Sequence, residues 1–103
     1  MSAPIVRRSQ ARVATTHAPR MIAELAAYWE GKFPIAVEAN GIVITFPSGE
    51  VGLHAQADAL LAQVASQLDD GLPPAQNIIA DRLNRFADPA EAPLAFDWQE
   101  IAP

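Results

Sequence analysis

The sequence predicts an α+β domain: an antiparallel sheet of four to six strands with two helices packed on one face, in the order β-α-β-β-β-β-α-β. Three observations carry this expectation. Two segments repeat apolar residues at helical spacing, so each offers a single stripe to a core. Several short segments alternate apolar with polar residues, the period of a half-buried strand. Between two of these lies Asn40-Gly41, the residue pair favoured in a two-residue type I′ hairpin turn.

Taken in order, residues 1–9 read as a flexible basic arm, residues 10–100 as one domain and residues 101–103 as a tail. In the segment Ala11 to Thr15, Ala11, Val13 and Thr15 share one side, which suits an edge strand. Thr15 or Thr16 is placed to cap a helix whose stripe is Ile22, Leu25, Ala26 and Trp29, with Pro19 tolerated in the first turn. Gly31 supplies a residue free to take positive φ at the helix end, and Pro34 blocks a restart. Ile35, Val37 and Ala39 then alternate with Ala36 and Glu38, and Ile42, Ile44 and Phe46 with Val43 and Thr45. After a turn at Pro47-Ser48-Gly49, Val51, Leu53 and Ala55 alternate with Gly52, His54 and Gln56. Leu60, Ala62, Val64 and Ser66 continue the pattern as a strand, although Leu61, Val64, Ala65 and Leu68 also fit a helix, and both readings stay open. Asp69-Asp70-Gly71 and Pro73-Pro74 open a second helix with Ile78, Ile79, Leu83 and Phe86 as its stripe. Leu94, Phe96 and Trp98 alternate with Ala95, Asp97 and Gln99 as a final strand or extended tail.

One-stripe helices and one-faced strands are satisfied together when both helices cover the same side of the sheet. The other side is then open, carrying Glu38, Val43, Thr45, His54, Gln56, Leu61, Gln63 and Ala65, and interactions are expected there.

Composition narrows the functional classes. A domain of 103 residues buries roughly 65% of its unfolded surface, enough for a core without disulfides or metal. With 50% hydrophobic and 18% charged residues it is globular, and no apolar run approaches membrane-spanning length. There are no cysteines and no N-terminal apolar signal run, so a cytoplasmic location is the default expectation. Arg7, Arg8, Arg12 and Arg20 stand in an acid-free start, which leaves residues 21–103 with three bases against twelve acids. That acidic body repels polyanions, so neither nucleic acid nor a membrane surface is an expected partner, and the basic arm is expected to settle against it.

The five glycines form no phosphate-binding cluster, so no nucleotide cofactor is expected. His17 and His54 are the only histidines and lack ligand spacing, no serine sits in a nucleophile elbow, and Asp69-Asp70 read as turn acids. No catalytic, cofactor or metal residues are therefore assigned, and the protein is not expected to be an enzyme. Trp29, Phe33, Phe46, Phe86, Phe96 and Trp98 are expected in the core. The candidate interaction residues are Val43, Thr45, His54, Leu61 and Gln63 on the open face, with Lys32 and Arg85 as long cations beside core aromatics at a rim.

The runs Ala11-Arg12-Val13-Ala14-Thr15, Trp29-Glu30-Gly31-Lys32-Phe33-Pro34, Leu83-Asn84-Arg85-Phe86-Ala87 and Leu94-Ala95-Phe96-Asp97-Trp98 resemble the bacterial family known as domain of unknown function 2218, from about Gln10 onward. The resemblance implies a His-Lys pair after the first helix; Lys32 and Phe33 fit, but Gly31 replaces the His, so any ligand role of that His is absent. It also implies an accessory module, some relatives being joined to flavin-dependent siderophore reductase domains, and hence a reductase partner and iron handling through a chelate. The element order is similar to the TATA-binding-protein repeat, a likeness of fold alone. Two functions follow as expectations: a non-catalytic accessory or ligand-binding module linked to iron-siderophore handling, or a homo-oligomeric interaction domain that self-associates through its open face.

Overall fold

The computed structural model describes residues 7–47, 49–68 and 71–101. Along the chain they form β1 (Arg7–Ala14), α1 (Ala18–Trp29), β2 (Ile35–Glu38), β3 (Gly41–Phe46), β4 (Gly49–Ala55), β5 (Ala59–Ser66), α2 (Leu72–Phe86) and β6 (Gln99–Ile101). The strands make one antiparallel sheet in the order β2-β3-β4-β5-β1-β6. α1 packs over β3 and β4 and α2 over β5 and β1, so the expected α+β class and order hold.

The core lies between helices and sheet. Met21, Leu25, Leu53, Leu60 and Leu83 are fully buried, and Ile22, Trp29, Ile42, Val51, Val64 and Ile79 complete the same cluster. Each such side chain contributes about 1.5–3 kcal/mol by leaving water, which is why the stripe spacing dictates the fold. β5 settles the ambiguity at residues 60–66 in favour of the strand: flanked by β4 and β1, it has its backbone groups paired on both edges while Leu60, Ala62, Val64 and Ser66 point into the core. A helix there would forfeit both ladders.

Several local expectations are corrected. The β2–β3 loop is Ala39-Asn40, not Asn40-Gly41: Glu38 pairs with Gly41, and positive φ is found at Gly31 alone among the described residues, which excludes a type I′ turn. The Asn40 carbonyl accepts the Ala55 N–H at 2.7 Å, drawing the turn into the β3–β4 ladder. The pairing slips by two residues, so every side chain keeps its expected face. Neither Thr15 nor Thr16 caps α1. His17 occupies that position without a side-chain cap, because the Thr15 hydroxyl donates to Glu91 while accepting the His17 N–H, and Thr16 also bonds Glu91.

β1 starts at Arg7, so the last three residues of the expected arm are sheet. Arg7 binds Glu100 of β6 at 2.7 Å. In α2 the buried stripe is Leu72, Ile79 and Leu83, and Ile78 is 51% exposed, since a helix turns by 100° per residue and adjacent isoleucines cannot both face the sheet. The final strand is Gln99–Ile101, whereas Leu94, Phe96 and Trp98 are packed against the core without strand pairing. Asp69-Asp70 and Ser48 lie outside the described residues. The expected stop of α1 is observed: Gly31 has φ +82°, and the Lys32 and Phe33 N–H groups return to the Trp29 carbonyl.

Candidate functional site

The open sheet face brings five of the expected candidates together through strand register. Gln10, Gln63, Gly52 and Val43 form one row across β1, β5, β4 and β3; Arg12, Leu61, His54, Gly41 and Glu38 form the next, and Thr45 lies in a third with Glu50 and Ala65. Much of the polar chemistry in these rows is internally paired. Gln63 Nε2 donates to Gln10 Oε1 at 3.5 Å, Arg12 binds Gln56 at 2.9 Å and Asp58 at 3.1 Å, and His54 Nδ1 stands 3.8 Å from Glu38.

Lys32 and Arg85 are not part of that face. Arg85 lies exposed on α2 with its Nε 3.4 Å from Asp81 one turn earlier. Lys32 follows α1, and its ammonium sits 5.1 Å from the centre of the Tyr28 ring.

A cleft of about 600 Å³ opens instead on the helix side, between the end of α1, the first turns of α2 and the strand ends around Phe46–Val51 and Val64–Ser66. Its aromatic wall follows from three local structures: Trp29 closes the stripe of α1, Phe33 is turned inward by the Gly31 reversal, and Phe46 ends β3 on the core side. Trp29 meets Phe33 edge to face at 5.8 Å and Phe46 at 5.4 Å, while Phe33 and Phe46 approach to 4.5 Å. Val51, Val64, Ala75 and Ile79 extend the apolar lining, and the exposed Leu68 and Ile78 form part of the rim. Arg82 and Glu50 are the charged lining residues among those described.

Arg82 stands at the mouth with its guanidinium carbon 5.0 Å from the Tyr28 ring centre. Tyr28 is in turn braced edge-on by Phe86 and tilted against Trp29, each at 6.2 Å. The arrangement can hold an apolar body against the aromatic wall and present a cation to its polar end. No group of three or more His, Asp or Glu able to hold a metal occurs among the described residues.

Sequence reasoning missed this cleft. Trp29, Phe33 and Phe46 were expected only as packing, and Tyr28, Ile78 and Arg82 were assigned no site role. Two signals were available: the Ile78-Ile79 pair forces one isoleucine off the stripe, and Arg82 follows Ile78 by one helical turn.

The model of a bacterial family described as "Uncharacterized protein conserved in bacteria (DUF2218)" matches residues 10–99. Among solved structures, the NMR structure of PA4090 from Pseudomonas aeruginosa is similar, with 32% identity, a TM-score of 0.73, and coverage of 89% of this chain and 94% of that one. No curated protein matches. None of the helices among the described residues is long and apolar enough to cross a membrane.

Proposed function

From the premise that this chain belongs to that bacterial family, we propose that it is a non-catalytic module that binds a small, largely apolar ligand in the cleft between its helices. The observation that carries this reading is the aromatic wall of Trp29, Phe33 and Phe46 in a space of about 600 Å³, within the usual size of small-molecule sites. A core packed only for stability closes such a space, because voids forfeit contacts. The resemblance to domains joined to siderophore reductases supplies a setting for the same site: the module would hold or present a chelate to a flavin-dependent partner.

Self-association through the open face is the alternative. It has less support, since Gln10 with Gln63 and Arg12 with Gln56 and Asp58 already satisfy one another there.

The test uses N-phenyl-1-naphthylamine, an uncharged fluorescent probe. It should bind saturably at one site and quench tryptophan emission in Trp98→Phe, where Trp29 is the remaining indole, and Ile78→Glu should abolish binding while the thermal transition persists. Absence of saturable binding, or binding indifferent to Ile78→Glu, overturns the reading.

A further inference from the structure

We infer that the cleft selects apolar carboxylates, with the ligand's body against the aromatic wall and its carboxylate on Arg82; this rests on the cleft being a binding site. Residues 21–103 hold three bases, and two of them, Lys32 and Arg82, stand on the same tyrosine ring at 5.1 and 5.0 Å. Two cations brought to one ring repel each other, and an anion bound beside them offsets that repulsion. The acid nearest in sequence to Arg82 does not: Asp81 is engaged by Arg85 at 3.4 Å.

Among the described residues no carboxylate or carbonyl accepts from the Arg82 guanidinium, which lies over the Tyr28 ring. A contact with a ring face uses no oxygen acceptor for the guanidinium N–H groups, and their fork geometry suits the two oxygens of a carboxylate. Tyr28 thus acts as a positioning residue. Wedged between Trp29 and Phe86, it holds the cation at the mouth of a cleft whose interior is apolar. Ile78, one turn before Arg82, lies where the ligand's body would leave the head group. Glu50 is the charged counterweight at the sheet end and disfavours an anion there, which orients the carboxylate toward α2.

The test compares two acid and alcohol pairs, decanoate with decanol and 2-naphthoate with 2-naphthalenemethanol, each displacing N-phenyl-1-naphthylamine from the intact protein at neutral pH. The acids should bind about tenfold tighter than their alcohols, as one charge-assisted pair allows. Arg82→Gln should weaken acid binding to the level of the alcohols and so remove that preference, and Lys32→Gln should weaken the preference by a smaller factor. Whichever acid binds tighter identifies the ligand body as aliphatic or aryl. Equal binding of acid and alcohol by the parent protein, or a preference that survives Arg82→Gln, overturns the inference while the cleft still binds. If the probe itself fails to bind, the cleft reading falls with it.

Discussion

The imidazole of His54 lies beside the α-carbon of Gly52 on the open face, so that a Cβ built at Gly52 would stand 3.2 Å from His54 Nε2. The ring is the end of a half-buried side chain and can give by a few tenths of an ångström. Gly41, in the next row of the same face, has no such latitude: a Cβ there would meet the Leu53 carbonyl oxygen at 1.8 Å, inside the β3–β4 ladder. Gly52→Ala should therefore stay within about 1 kcal/mol of the parent, helped by a less entropic unfolded chain. Gly41→Ala should cost at least about 1–3 kcal/mol, lowering the melting temperature by roughly 4–8 °C per kcal/mol. Calorimetric melts of both variants check this, and equal transitions would contradict the register.

This contrast also shows what the sequence could reveal. Alternation placed Val43, Thr45, His54, Leu61 and Gln63 on one face, and the structure keeps them there even though the hairpin turn shifted, because the slip spans two residues. The turn itself was misread: Asn40-Gly41 has the local chemistry of a type I′ turn, but the Ala55 N–H bond to the Asn40 carbonyl is a contact between distant residues. The cleft was less legible still. Periodicity identifies Trp29, Phe33 and Phe46 as apolar, yet whether their rings fill the core or leave space beside it depends on how far α2 stands from β5. Arg82 gains meaning only because Tyr28, from the other helix, stands within reach of it.

Glu91 provides a pH-dependent contribution. The Thr15 hydroxyl first and the Thr16 backbone N–H second hold its carboxyl below the usual glutamate range. A carboxyl depressed in the folded state adds stability that is complete above its unfolded value of about 4.3 and is lost as pH falls through the folded value. Glu91→Gln should therefore be less stable than the parent at about pH 6, and the gap should narrow steadily below about pH 4.3. Paired melts across that range measure it. A gap that stays constant down to about pH 3 would show that Glu91 is not linked to folding.

The C-terminal segment should be structural although most of it forms no strand. Leu94 is 8% exposed and its N–H donates to Asn84 Oδ1 at 2.6 Å, tying the segment to the last turn of α2. Phe96 and Trp98 stack at 5.8 Å and pack against the core, and β6 then covers the outer edge of β1 through Arg8–Gln10. Truncation after Pro93 removes all of this. Loss of Leu94 burial alone costs about 1.5–3 kcal/mol, a large part of the roughly 5–15 kcal/mol that holds a domain together, and β1 becomes an unprotected edge prone to pairing with other chains. The truncated protein should lose its cooperative transition or aggregate. Because such a protein yields no folded state to compare, the double variant Phe96→Ala with Trp98→Ala provides the graded measurement: it should remain folded with a lowered melting temperature. A transition within a couple of degrees of the parent would mean that the stacked pair contributes no packing energy, and it would direct the search for a partner to that surface.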